Sequence, residues 1–281
     1  MPEDRYDPVV MEEGKTAVGR VVPAEEVLVV LARSLAEGRI RIVDLTQPLS
    51  ESTPIIQLPE PFVNTPGFNL HELSRYDDRG PAWYWNSFES GEHTGTHFDA
   101  PIHWVTGRNL HDVSQVPLER AIGPAVVIDK SAEVAADPDY LLTIDDIRAF
   151  ESEHGPLPGG GWLLYRTGWD ARAQDQAEFL NANETGPHTP GIETGCARWL
   201  AEESPLVGLG VETVGTDAGA AHSFDPAFPC HHFLLGANKY GVTQLANLAQ
   251  LPPTGALFVA APLKIEGGSG SPCRALALVP A

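Results

Sequence analysis

The chain has 281 residues, of which 42% are hydrophobic, and its formal net charge is −20 because 38 Asp and Glu outnumber 18 Lys and Arg. The apolar content excludes intrinsic disorder, and the acidic balance excludes a nucleic-acid-binding protein, which needs a basic face. No stretch approaches the about 18 apolar residues of a membrane span, and the acidic start has no secretory signal. Three widely spaced cysteines give no disulfide framework, so we expect a cytoplasmic protein. Without an apolar span, we expect no membrane partner.

The first elements in chain order are an arm, a helix and a strand. Residues 1–22 are polar and unpatterned, which predicts an N-terminal arm before a single domain over residues 23–281. Pro23 begins an amphipathic helix that Gly38 ends, and the following residues alternate as a strand up to Leu45.

A long connection follows this strand. Residues 46–81 are rich in proline and polar residues, which predicts a long ordered loop, and loops of this length are usually functional. The aromatic stretch at 83–88 predicts the next strand.

From residue 124 onward, strand patterns alternate with helical patterns. The predicted strands are at 124–129, 161–165, 206–211, 256–260 and 275–279, and the predicted helices are at 144–154, around 170–180 and at 191–202. This alternation predicts the α/β class.

Three of the ten histidines fall in one short stretch, HTGTHFDAPIH, that begins at His93. The potential ligands His93, His97, Asp99 and His103 all stand at odd positions. Since side chains alternate along a strand, an extended chain would aim all four to one side.

The spacing of these residues limits the geometry. On a straight strand His97 and Asp99 would lie about 6.6 Å apart, close enough to share one ion, whereas His93 would lie about 13 Å from His97. Either the chain bends at Gly95 or His93 has a separate role. Pro101 predicts that the strand ends before the last histidine of the stretch.

The chemistry of this residue set points to a metal site. Imidazole and carboxylate ligands suit Zn²⁺ or Mn²⁺, and such an ion lowers the pKa of bound water to about 7 and polarises a carbonyl. A nearby histidine that is not a ligand could exchange protons. His231, at the start of HHFLLGA, is a second candidate, although a histidine before an apolar run is often only packed.

The stretch HTGTHFDAPIHW resembles the signature of the cyclase-like metal-dependent hydrolase family, which includes bacterial kynurenine formamidases and isatin hydrolases. Each signature position from His93 to His103 is matched. The resemblance continues in VETVGTD at 211–217, HHFLLGA at 231–237 and PLKIEGGSGSP at 262–272, and so extends over most of the chain.

The resemblance implies a swivelling β/β/α fold, with a barrel-like mixed sheet and flanking helices, and a homo-oligomer (dimer or tetramer) with sites near the subunit contacts. The family's metal ligands carry over onto His93, His97 and Asp99, and its catalytic acid/base onto His103. A later histidine that completes the site of two-metal members matches His231.

One position departs from the two-metal pattern. Thr243 stands where two-metal formamidases carry Glu, and a hydroxyl is a poor bridging ligand. We therefore expect one divalent ion, Mn²⁺ with Zn²⁺ as the alternative, as in the isatin-hydrolase branch, and Thr243 becomes a candidate substrate contact. Glu212 stands where the family often has Asp.

These observations predict an enzyme that hydrolyses the amide C–N bond of a small cyclic or aromatic amide or lactam, with His103 as acid/base. Trp83, Trp85 and Trp104 could wall an aromatic substrate or belong to ordinary core packing. The alternatives are an arylformamidase, a metal-dependent cyclase or dehydratase, and a non-catalytic binding protein of the same fold. The glycine-rich segment at 267–270 could cradle an anion, but a tight turn is the favoured interpretation.

Overall fold

The computed structural model of the chain describes residues 23–281, so the arm predicted over residues 1–22 lies outside the described residues. The main compact unit spans Arg41–Ala281. The described part of the preceding unit holds the helix that was predicted between Pro23 and Gly38, and Gly38 follows it with a positive φ of 69°. The predicted single domain over residues 23–281 stays a prediction.

The helices are short. They are α1 (Ala24–Ala36), α2 (Leu118–Ala121), α3 (Ser131–Ala136), α4 (Ile144–His154), α5 (Gln176–Leu180) and α6 (Thr194–Glu202). Short 3₁₀ turns include Pro101–His103, and His231–Leu235 forms one π-helical turn. Among residues 23–281, none of the helices is both long enough and apolar enough to cross a membrane.

Local sequence explains where α4 begins and ends. The Thr143 hydroxyl accepts the Asp146 N–H, and the Asp146 carboxylate accepts the Thr143 N–H, which is a capping box. Gly155 follows the helix at a φ of 89°, a conformation that glycine adopts without a steric penalty.

Fourteen strands are present in the described residues. They are β1 (Ile40–Asp44), β2 (Asn69–Arg75), β3 (Tyr84–Glu89), β4 (His97–Asp99), β5 (Ile122–Asp129), β6 (Leu141–Leu142), β7 (Trp162–Arg166), β8 (Ala182–Asn183), β9 (Gly186–Pro187), β10 (Gly191–Ile192), β11 (Gly208–Val211), β12 (Tyr240–Thr243), β13 (Ala256–Pro262) and β14 (Gly270–Pro280).

The main sheet closes on itself. Its seven-strand ring follows the order β14-β13-β5-β7-β11-β12-β4, because β4 also pairs with β14, and β1 adds to β14 at the side. The strands β5, β7, β11 and β12 run parallel, whereas β13, β14 and β4 join by antiparallel pairing. This mixed, barrel-like sheet with flanking helices confirms the predicted fold class.

Because side chains alternate between the two faces of each strand, they contribute to two hydrophobic cores. On β7, Trp162 and Leu164 belong to the core inside the ring, whereas Leu163 and Tyr165 belong to the core between the sheet and the helices α4 and α6. Strands that are buried on both faces need continuous apolar runs, which explains the pattern WLLY.

The short strand β4 carries two of the predicted site residues. Its central residue, Phe98, is fully buried in the ring core, where its ring lies 5.1 Å from that of Tyr240 and 6.1 Å from that of Trp162. Because successive side chains alternate, His97 and Asp99 project from the outer face of the ring. The packing of Phe98 therefore fixes the position of β4 in the sheet and the direction in which His97 and Asp99 project.

Two secondary-structure predictions were wrong in detail, and one strand of the main sheet was missed. The loop predicted over 46–81 contains β2, which pairs with β3 in an exposed hairpin that has a bulge between Glu72 and Ser74. With both faces solvated, NLHELSR has no apolar alternation to reveal it. The helix predicted around 170–180 is a 3₁₀ turn followed by the short α5, and β12 went unpredicted.

We expect Phe98→Ala to lower the free energy of unfolding by about 3–5 kcal/mol, because it leaves a cavity in the ring core. Phe62→Ala is the matched control, since the Phe62 side chain is 63% exposed and its removal should cost less than about 0.5 kcal/mol. Urea unfolding measures both. Equal stabilities of the two variants would contradict the role assigned to Phe98.

Candidate metal centre

The four predicted residues of the histidine stretch come together, but not on one straight strand. Only His97 and Asp99 lie on β4. The chain bends at Gly95, whose φ is 65°, which is one of the two alternatives that the spacing left open. The bend returns His93 to the strand, so that its Nδ1 lies 2.8 Å from Asp99 Oδ1. The 3₁₀ turn that begins at Pro101 brings the His103 ring into a stack on His93, with centroids 3.8 Å apart.

Asp99 is the common neighbour of the three imidazoles. His97 Nε2 lies 3.4 Å from Asp99 Oδ1, on the same oxygen that His93 approaches. One ligand atom each from His93, Asp99 and His103 also lie within 4.8 Å of one another. The geometry thus allows two ligand sets, the predicted His93, His97 and Asp99, or a set in which His103 takes a ligand position.

The hydrogen bonds of His97 favour its role as a ligand. Its Nδ1 lies 2.7 Å from the Gly95 carbonyl, which can only accept, so Nδ1 carries the proton and Nε2 keeps its lone pair toward Asp99. A backbone carbonyl on the far nitrogen is the usual support of a metal-ligating histidine. The Thr243 hydroxyl lies 3.0 Å from Nδ1 and 3.1 Å from Nε2 of this ring, and its predicted role as a substrate contact stays a prediction. Imidazole nitrogens and a buried carboxylate therefore fit a divalent ion here.

The ionisable groups of the centre differ in their charge at neutral pH. Burial alone would raise the pKa of Asp99, but His97 and His93 outweigh it and hold that pKa well below its usual range. Burial lowers the pKa of His103 to about 3 and outweighs Asp99, which favours the protonated form. The neighbouring imidazoles of His93, His231 and His97 add to the lowering. At neutral pH the centre therefore contains an ionised carboxylate and a neutral His103.

His231 lies beside the centre and forms a dyad with Asp217. Its Nδ1 lies 2.5 Å from Asp217 Oδ2, while the other Asp217 oxygen accepts the Cys230 N–H at 2.7 Å. Burial disfavours the charged imidazole, but Asp217 outweighs it and raises the pKa of His231. Only Nε2 of His231 remains for an ion or a substrate, and its predicted role as a ligand stays a prediction.

Asp217 was not among the site residues predicted from the sequence. It caps the backbone before the π-helical turn and also orients His231. Its place in the VGTD motif, fourteen residues before His231, was the available signal.

The predicted aromatic residues fall into two groups. The Trp104 ring lies 6.2 Å from the ring of His103, 4.8 Å from that of His231 and 5.6 Å from that of Phe228, so it forms a wall beside the centre. Phe228, which sequence reasoning missed, adopts a φ of 55° that is rare for a bulky residue. Trp83 and Trp85 pack edge-on against each other on the exposed hairpin, and their substrate role stays a prediction.

A buried carboxyl group lies at the end of β11. One oxygen of Glu212 accepts hydrogen bonds from the Thr167 N–H and hydroxyl and from the Trp169 N–H, while Oε1 has no partner among the described residues. Burial raises the pKa of Glu212 to about 7, and Asp170 adds to this effect.

The sequence model of the family described as "Putative cyclase" matches residues 43–218. The chain belongs to this family. The matched segment contains the turn before β4, β4 itself, the 3₁₀ turn with His103, and Asp217.

Isatin hydrolases are similar to nearly the whole chain, both in sequence and in structure. The isatin hydrolase of Roseibium aggregatum is 50% identical over 260 residues, which cover 92% of this chain and 98% of that protein. A crystal structure of an isatin hydrolase bound to the product analogue thioisatinate superposes with a TM-score of 0.91 at 49% identity, covering 92% of this chain and all of the other.

A kynurenine formamidase is a more distant relative. That of Salinibacter ruber is 30% identical over 196 residues, which cover 68% of this chain and 77% of that protein. The isatin hydrolases thus share both more residues and more of the chain.

We expect the contribution of Glu212 to the free energy of unfolding to fall as pH rises from about 4.5 to about 7. Because the folded pKa of Glu212 exceeds its unfolded value, its contribution is complete below the unfolded pKa and is lost as pH rises through the folded pKa. Relative to the wild type, Glu212→Gln should therefore gain about 3 kcal/mol between pH 4.5 and pH 8.

Urea unfolding across this pH range measures the difference. Glu153→Gln is the control, because the Glu153 side chain is 77% exposed and its replacement should leave the pH dependence of the wild type in place. A constant difference between Glu212→Gln and the wild type would contradict the expected effect.

Proposed function

We propose that this chain hydrolyses the amide C–N bond of a small cyclic substrate of the isatin type, with a divalent metal centre and His103 as acid/base. The observation that carries the proposal is the neutral, partly buried His103 stacked against His93 beside the Asp99 carboxylate. The predicted enzyme class, a metal-dependent hydrolase acting on non-peptide C–N bonds, is confirmed by the likeness to isatin hydrolases over nearly the whole chain.

The chain's own residues handle the protons. When bound, a divalent ion at this centre supplies a Lewis acid for the substrate carbonyl and lowers the pKa of water. His103 is in its basic form at neutral pH, so it can accept a proton from the attacking water. The same imidazole then returns that proton to the leaving nitrogen, which yields a carboxylic acid and an amine and restores His103. The acid keeps the second proton of the water and releases it to solvent when it ionises.

The neighbouring residues shape the space beside this base. Asp217 fixes the ring of His231, whose Nε2 can hydrogen-bond a polar group of the substrate. Trp104 and Phe228 offer apolar ring surface on which an aromatic substrate can pack and from which water is excluded. Together they suit a flat, fused-ring lactam.

The remaining features are proposed from the residues and from the family resemblance. Imidazole and carboxylate donors suit one Mn²⁺, with Zn²⁺ as the alternative, and Thr243 supports a single ion because it offers a hydroxyl where a second metal would need a carboxylate. The homo-oligomer (dimer or tetramer) stays a prediction. So does the cytoplasmic location, which the three free cysteines suit.

The proposed activity can be tested with EDTA-treated full-length protein supplied with Mn²⁺ or Zn²⁺. We expect metal-dependent ring opening of isatin, followed by absorbance, and much slower hydrolysis of N-formylkynurenine. The reverse preference would replace the proposal by an arylformamidase. No metal-dependent activity on either amide would favour a cyclase, a dehydratase or a binding protein.

We expect His103→Ala to lower kcat for isatin by about 10²- to 10⁴-fold, because the proton acceptor is lost. Elemental analysis should show the metal content of the wild type. His188→Ala is the matched control, since His188 pairs with Asp139 on another loop. Retained turnover would exclude His103 as the base, and a loss of metal would assign it to the ligands instead.

A further inference from the structure

A chain of hydrogen bonds reaches the metal centre from the glycine-rich turn before β14. The Ser269 hydroxyl lies 2.8 Å from His93 Nε2 and 2.6 Å from Glu92 Oε2. The backbone N–H of Ser269 donates to the same Glu92 oxygen at 3.0 Å. Glu92, Ser269, His93 and Asp99 thus form one continuous series.

The direction of these bonds follows from the donors that each group has. A carboxylate only accepts, and a serine hydroxyl has one hydrogen, so Ser269 donates to Glu92 and must accept from His93. The proton of the His93 ring therefore lies on Nε2. Nδ1 is left with a lone pair that faces Asp99 Oδ1 at 2.8 Å.

This arrangement places two electron-rich atoms against each other. A neutral His93 with its proton on Nε2 would meet a carboxylate oxygen of Asp99 lone pair to lone pair. A divalent cation held by His93 and Asp99 would remove this conflict. His97 presents its own Nε2 lone pair to the same oxygen, because its Nδ1 donates to Gly95.

We propose that Ser269 and Glu92 are positioning residues that hold His93 in the tautomer whose Nδ1 binds the metal. The inference rests on the metal centre of the proposed function and adds two residues that act on it from outside the ligand set. Supporting partners of this kind fix the ring orientation and the basicity of a ligating histidine.

The backbone around Ser269 is shaped for this contact. Gly270 pairs with Asp99 across the β14–β4 ladder, and the Ala100 N–H donates to the Ser269 carbonyl at 3.0 Å. A Cβ on Gly270 would lie 2.5 Å from His93 Cε1 and 2.6 Å from the Phe98 carbonyl oxygen, so only glycine lets the ring approach. The segment 267–270 is the turn predicted from the sequence, and it also forms a wall of the centre.

Three variants test the proposal. Ser269→Ala removes the acceptor for His93, and Glu92→Ala frees the Ser269 hydroxyl to donate to His93 instead, so we expect each to weaken Mn²⁺ affinity by about 10- to 100-fold. Glu92→Gln keeps an oxygen that can accept from Ser269, and should remain close to the wild type. Competition with a fluorescent chelator measures the affinities.

Ser114→Ala is the matched control. Its hydroxyl donates to Asp112 at 2.7 Å, so the change removes another short serine–carboxylate bond that touches no histidine. This variant should bind Mn²⁺ as the wild type does, and circular dichroism should show that all variants are folded.

A second readout reports the tautomer directly. In the full-length protein loaded with diamagnetic Zn²⁺ and labelled with ¹⁵N-histidine, the His93 ring should carry its proton on Nε2, with the signals assigned by their loss in His93→Gln. In Ser269→Ala and Glu92→Ala the chemical shift of this proton should move away from the value of a hydrogen-bonded proton.

A proton on Nδ1 in the wild type, or wild-type Mn²⁺ affinity in both alanine variants, would overturn the proposal. Neither readout uses a substrate. A failure of isatin hydrolysis would therefore contradict the proposed function but would not decide the role of Ser269 and Glu92.

Discussion

The buried carboxylate of Asp99 is the group around which the centre is arranged. Its side chain is almost fully enclosed, and an ionised carboxylate in that position is costly unless charged or hydrogen-bonding partners surround it. His93 and His97 both approach its Oδ1, and the stack of His103 on His93 follows from the same convergence. The bend at Gly95 and the turn at Pro101 are the backbone features that make this convergence possible.

The sheet leaves room for this arrangement by placing small residues beside Asp99. The residues paired with Asp99 on the two neighbouring strands are Gly241 and Gly270. A Cβ on Gly241 would lie 3.0 Å from Asp99 Oδ2, and a Cβ on Gly270 would enter the ring of His93. The centre therefore occupies volume that side chains of the sheet would otherwise fill. Two further imidazoles at its edge differ in charge preference, since burial keeps His103 neutral while Asp217 favours the protonated form of His231.

Much of this could be predicted from the sequence, because the decisive signals are local. The spacing of His97 and Asp99 identified neighbours on a strand, and Pro101 identified the strand end. A bend at Gly95 was one of the two alternatives that the position of His93 left open. The alternation of strand and helix patterns predicted the α/β class for the same reason. The partners of these residues could not be predicted, since Ser269 reaches His93 only through the register of β14 on β4. The hairpin of β2 was hidden because a strand exposed on both faces needs no apolar alternation.

The closure of the ring has a consequence for the dynamics of the centre. Although β4 has only three residues, it is hydrogen-bonded to β12 on one side and to β14 on the other. It therefore has no free edge along which it could fray, and its release requires that the barrel itself opens. Local openings usually occur in segments with few buried contacts, whereas Phe98 anchors this strand in the core. The backbone amide hydrogens of β4 should thus exchange with solvent no faster than the whole barrel unfolds. The strand that carries the ligands should keep its conformation whether or not an ion is bound.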